Sequence, residues 1–160
     1  MRNFSIFFAF LLSLSACSAT GPKFQDTPFA MQQVPEHKAR IIFFREFDVN
    51  FRSVILGIDG SRVGALAHQG FIVADTAPGD RRISAWVRYL PLGEFAIGMN
   101  LKAGETYYIR VSHRDQRMAY PLFGPLGTAL LLVDSKGEFQ LEPLVAVAPP
   151  QELQELKLSE

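Results

Sequence analysis

The chain has 160 residues, 48% of them hydrophobic and 20% charged, which suits one globular domain with flanking sequence and excludes two full domains. Its 16 Lys and Arg are balanced by 16 Asp and Glu, so no surplus of positive charge is available to displace counterions from nucleic acid, which is not an expected partner. A single cysteine, Cys17, rules out an intrachain disulfide framework and a zinc site built from several thiolates.

The chain opens with Arg2 and then an apolar run from Phe4 to Leu14, broken only by Ser5 and Ser13. At about 11 residues the run is shorter than the ~20 that a spanning helix requires, which is the form of a secretory signal removed by cleavage. It ends in Leu14-Ser15-Ala16-Cys17, which resembles the bacterial lipobox. That resemblance implies cleavage after Ala16 and a diacyl modification of the Cys17 thiol. No other cofactor is expected. Each buried methylene contributes ~0.8 kcal/mol, so two or three acyl chains hold a protein on a bilayer far more firmly than one. Ser18 and not Asp follows the cysteine, which resembles the lipoproteins that diderm bacteria export to the outer membrane, and that resemblance implies an address on the outer membrane, facing the periplasm. Loss of residues 1–16 removes one charge, Arg2, and leaves the mature chain near neutral.

Residues 18–37 carry Gly21, Pro22, Pro28 and Pro35 and no sustained period of 2 or 3.6, the composition of a flexible tether. A coil of ~20 residues has an end-to-end distance of roughly 25 Å. Phe24, Phe29 and Met31 within it are able to pack on the domain.

From Ala39 onward, runs of Val, Ile, Phe and Tyr alternate with Gly, Pro and Asp turns about every ten residues, which predicts an all-β sandwich or barrel, with a small antiparallel β-sandwich as the expected form. Residues 39–45 are apolar on both alternating faces and are expected to form a central strand covered on both sides. Val54, Leu56 and Ile58 share one face of residues 53–58, and Asp59-Gly60 is expected to turn the chain into an antiparallel return over 62–67. Further strands are expected over 71–75 and 81–89. The alternating stretches 94–101 and 106–113, joined by Lys102-Ala103-Gly104-Glu105, are expected to pair as a hairpin. A continuous apolar run over 128–134 and a shorter one over 138–141 follow. After Pro149-Pro150, residues 152–158 place Leu153, Leu156 and Lys157 at helical spacing. The expected organisation is a signal peptide over 1–16, acylated cysteine and tether over 17–37, sandwich over 38–147 and a tail over 148–160.

The motifs Ala39-Arg40-Ile41-Ile42-Phe43-Phe44-Arg45, Ile58-Asp59-Gly60 with Val63-Gly64, Ala77-Pro78-Gly79-Asp80, and Lys102-Ala103-Gly104-Glu105-Thr106-Tyr107-Tyr108-Ile109-Arg110-Val111 occur in this order. Together they resemble the DUF2846 family of bacterial lipoprotein-type domains over about residues 38–134, and their turns also look like those of PEGA-type β-sandwiches. The resemblance implies fold and compartment. It transfers no activity and no catalytic residue.

His37, His68 and His113 are not at short metal-ligand spacings, so no metal site is predicted. No Gly-x-Ser-x-Gly elbow or phosphate-cradling glycine loop marks a nucleophile or nucleotide site. The feature that stands out is Arg82, Ser84, Trp86 and Arg88, which alternation places opposite Ile83, Ala85 and Val87, with Tyr89 next in the chain. If the second set is core, the only tryptophan lies between two arginines, unless a loop or the tether covers it. The expected function is a lipid-anchored, non-catalytic interaction or structural module of the cell envelope, with the membrane and envelope proteins as partners. The alternatives are a carbohydrate or peptidoglycan-binding module using Trp86 and Tyr89, and a hydrolase.

Overall fold

The first strand, β1 (Ala39–Arg45), is buried along its whole length, because both of its faces are apolar and both are covered. Ile41 and Phe43 point into one hydrophobic cluster while Ile42 and Phe44 point into another. The computed structural model describes residues 18–48, 51–88, 93–114, 136–144, 146 and 148–159. Leu14, Ser15, Ala16, Cys17, Tyr89 and the expected strand over 128–134 lie outside them.

The described strands continue with β2 (Val54–Ile58), β3 (Ser61–Leu66), β4 (Gly70–Thr76), β5 (Gly79–Trp86), β6 (Glu94–Leu101), β7 (Thr106–His113), β8 (Phe139–Leu144) and β9 (Lys157–Leu158). They form two sheets, ordered β8-β7-β1-β4-β9 and β3-β2-β5-β6. The fold is an all-β sandwich. Its four-stranded sheet is antiparallel, whereas the five-stranded sheet is mixed, with β1 parallel to β7 and β9 parallel to β4. The β2–β3 hairpin turns on Asp59 (φ 51°) and Gly60 (φ 79°), the pair of positive φ angles that matches the twist of the flanking strands.

Two differences from the sequence expectations have physical causes. Strands β6 and β7 do not pair with each other: β6 pairs with β5, and β7 pairs with β1 and β8 in the opposite sheet. Alternation states only that each strand buries one face, and two such faces can stack across a core as well as lie side by side. The chain crosses between the sheets at Lys102–Glu105, where Gly104 takes φ 78° and the Tyr107 hydroxyl accepts from the Lys102 N–H and donates to Glu105. The expected C-terminal helix is a 3-10 turn, Gln151–Glu155, followed by β9. Leu153 and Leu156 are three residues apart, which a 3-10 turn places on one face, and both are buried.

The first cluster fills the space between the sheets and is built from Ile41, Phe43, Leu56, Ile83, Ile109 and their neighbours. The second lies on the outer face of the five-stranded sheet. There Phe24 is fully buried and meets Phe71 edge to face at 5.3 Å, beside Leu153 and Leu156. The Phe24–Asp26 and Pro28–Ala30 turns and the C-terminal residues form a third layer over that sheet. The expected tether is thus held against the domain. Gly21 N–H donates to Leu158, Phe24 N–H to Leu156, and Leu158 N–H to Pro22, while Phe29 packs on the same cluster and Met31 is exposed. Among the described residues no helix is long and apolar enough to cross a membrane.

Candidate functional site

Strand β5 divides its side chains as alternation requires. Ile83, Ala85 and Val87 are buried in the inter-sheet core, so Arg82, Ser84, Trp86 and Arg88 belong to the other side of the strand. Their settings differ. Arg82 is exposed and donates to Glu94 on β6 at 2.9 Å. The Glu94 carboxyl is held below its ordinary range chiefly by that guanidinium. Both partners of the pair are open to solvent, so it contributes ~1 kcal/mol or less.

Ser84 is buried, although its hydroxyl makes no hydrogen bond of ordinary geometry. Trp86 is half-buried because its ring lies across β2 on Gly57, where a Cβ would come within 2.9 Å of the ring. Glycine is needed at 57 for this contact. Beside Ser84 the neighbouring strand places Ala96, and opposite Arg82 it places Gly98, where a Cβ would meet nothing. The result is a shallow floor of small side chains with one aromatic step and one ion pair. It can stack a flat apolar surface and offer a carboxylate and a guanidinium. The expected cover from residues 24–29 is not there, because Phe24 and Phe29 pack on the other sheet.

A second gathering lies between the sheets at the end where β1 and β7 finish. Arg45 is completely buried, donates through Nε and Nη2 to both carboxylate oxygens of Asp48 at 2.8 Å, donates through Nη1 to the Arg52 carbonyl, and stacks over Phe139 at 4.7 Å. His113 Nε2 lies 3.3 Å from Glu138 Oε1, and Arg52 reaches the other Glu138 oxygen at 3.6 Å. At the far end of β1, Arg40 is its counterpart. It is bidentate to Asp75 at 2.8 and 3.0 Å, donates to the Gln32 carbonyl, and lies over Phe29. The Arg40 guanidinium holds the Asp75 carboxyl below the ordinary carboxylate range, and Asp75 raises Arg40 in turn. An open groove of roughly 510 Å3 lies between β3 and β4, with Asp59, Arg62, Val63 and Asp75 on its walls.

The histidines are dispersed among these settings. His37 is exposed, His68 is buried in the turn before β4, and His113 belongs to the Glu138 gathering. Among the described residues no three His, Cys, Asp or Glu side chains are grouped to hold a metal ion.

Sequence reasoning missed three residues at the β1 exit: Phe47, Phe51 and the buried His68 that joins them. The Phe47 and Phe51 rings lie 5.1 and 4.7 Å from the His68 ring. A signal was present in the two phenylalanines, which fall between strands in a segment with no alternating pattern to bury them. Compared with known proteins, the chain matches no family model and no curated protein.

Proposed function

We infer that this chain is a lipid-anchored bacterial cell-envelope protein whose β-sandwich acts by contact, as a non-catalytic interaction or structural module. The observation that carries the reading is the apolar leader of residues 4–14 ending in Leu14-Ser15-Ala16-Cys17, with that cysteine the only thiol in the chain. The likeness of the turn and strand motifs to DUF2846 lipoprotein-type domains supports the same compartment, and Ser18 after the cysteine favours the outer membrane. The partners would be the membrane, through the acyl chains, and other envelope proteins. Radiolabelled palmitate should enter the wild-type chain, which should sediment with membranes. Cys17→Ser should lose the label and move to the soluble envelope fraction, and unchanged sedimentation of an unlabelled chain would refute the anchor.

A carbohydrate or peptidoglycan-binding reading is favoured by one observation, the half-buried Trp86 ring lying on Gly57 on the outer side of the four-stranded sheet. An aromatic face of this kind stacks on sugar rings. Cell-wall fragments should quench the fluorescence of the single tryptophan, and the absence of quenching at saturating fragment concentration would dispose of this second reading.

A further inference from the structure

Among the described residues, the exposed large hydrophobic side chains are Met31 (89%), Phe47 (68%) and Phe51 (52%). Met31 lies next to Gln32, whose carbonyl binds Arg40 near the start of β1. Phe47 and Phe51 lie at the other end of that strand, about 20 Å away at the rise of a β-strand. Isolated exposed apolar residues need no explanation, but two phenylalanines flanking one buried ring form a patch.

The ring between them, His68, is 1% exposed and is fixed by Asp48, whose N–H and carbonyl lie 3.2 and 2.9 Å from Nε2. The main chain of the same residue receives the start of the described chain. Ser18 forms a parallel bridge with His68, and Ala19 N–H donates to the His68 carbonyl at 3.1 Å. Cys17 is one peptide link from Ser18, ~3.8 Å between Cα atoms. The segment after it has no slack, since Gly21 is hydrogen-bonded to Leu158 and Phe24 to Leu156, and Phe24 is buried. An acyl group on Cys17 is therefore tied by one peptide link to the Ser18–His68 bridge at the Phe47 and Phe51 end, and a spacer of roughly 25 Å is not available to lift the domain away.

Arg52, next to Phe51, is an exposed cation at this end, with its side chain 59% accessible and 3.6 Å from Glu138.

We propose that this end of the sandwich is a membrane-docking face, with Phe47 and Phe51 seated in the headgroup and upper acyl region of the bilayer that holds the lipid on Cys17. The proposal rests on the anchor reading above and adds an orientation to it: the long axis of β1 stands away from the membrane, and the Asp59–Gly60 hairpin faces the aqueous compartment. Aromatic side chains suit that interfacial depth because it accepts large, rigid apolar rings.

The test uses the acylated full-length product in phosphatidylethanolamine and phosphatidylglycerol vesicles. With Cys17 acylated, Phe47→Cys, Phe51→Cys, Met31→Cys and Ser61→Cys each introduce one free thiol for a nitroxide. Labels at 47 and 51 should be several-fold more accessible to dissolved oxygen than to a water-soluble nickel chelate, while labels at 31 and 61 show the reverse. A chain that stays on the vesicles with all four labels equally open to nickel overturns the docking face and leaves the anchor standing. A chain that carries no acyl group and leaves the vesicles overturns both. Labels at 47 and 51 shielded from both reagents would place protein there instead of lipid and overturn the assignment. Using two positions guards against a fold disturbed at one of them.

Discussion

Truncating Phe24 to alanine separates two pictures of residues 18–37, a solvated leash and an integral layer of the domain. The ring is fully buried, meets Phe71 edge to face at 5.3 Å, and shares its cluster with Ile42, Phe44, Tyr108, Leu153 and Leu156. Deleting a buried phenylalanine side chain costs ~3–5 kcal/mol, which includes the cavity left behind. A change in a solvated leash would cost about 0.5 kcal/mol or less. For a domain of this size the larger figure corresponds to a fall in melting temperature of roughly 10 °C. Urea titration of a Cys17→Ser chain beginning at residue 17, with and without Phe24→Ala, reads the difference directly. If residues 18–30 detach as a unit while the sheets stay folded, the global loss is capped at their own docking energy. Amide exchange at Gly21, Phe24 and Leu158 registers that outcome, because all three N–H groups are bonded only when the segment is docked. A stability change under about 1 kcal/mol, with exchange at those amides unaltered, would refute the integral-layer account.

Asp75→Ala leaves the Arg40 guanidinium, 2% exposed, without its bidentate partner; the cost should approach the ~3–5 kcal/mol of a broken buried pair, reduced because the Asp75 side chain is itself 28% exposed. The folded-state pKa of Asp75 is depressed, so its contribution is complete above the unfolded value near 4 and is lost as pH falls through the lower folded value. Urea midpoints measured from pH 6 downward should therefore fall less steeply for Asp75→Asn than for the wild type, and parallel curves would contradict the assignment. Gly57→Ala puts a methyl group 2.9 Å from both the Trp86 ring and the Ser84 hydroxyl. It should cost ~1–3 kcal/mol and shift tryptophan emission to the red as the ring is displaced; unchanged emission and midpoint would exclude the stacking contact.

Much of the fold was legible because it is written in local patterns. The doubly apolar face of Ile41, Ile42, Phe43 and Phe44 could only belong to a strand covered twice, and Asp59-Gly60 between alternating runs could only be a tight hairpin. The division of β5 into Ile83, Ala85 and Val87 against Arg82, Ser84, Trp86 and Arg88 follows from the same period of two. Sheet membership was not legible, since Phe95, Ile97 and Met99 face the inter-sheet core from the sheet opposite Ile109 and Val111, and periodicity is the same for pairing and for stacking. Nor could the sequence place Phe24 on Phe71 or show that Gly57 lies under Trp86, because both contacts join residues far apart along the chain. The Phe47, His68 and Phe51 cluster was hidden for the same reason: its members come from two loops that converge only after β1 and β4 pair.

The parallel pairing of β1 with β7 has a consequence for how the chain is made. Residues 40–44 wait for their partners at 106–110, more than sixty positions later in synthesis, and until then one edge of the most apolar strand, the edge opposite β4, is an open template for self-association. Arg40 and Arg45 bracket that strip. Before folding they are charged gatekeepers that discourage stacking of identical segments, and after folding the same two guanidiniums are neutralised by Asp75 and Asp48. Replacing them with apolar residues would thus strand Asp75 and Asp48 in the folded sandwich and also leave the nascent chain more open to aggregation.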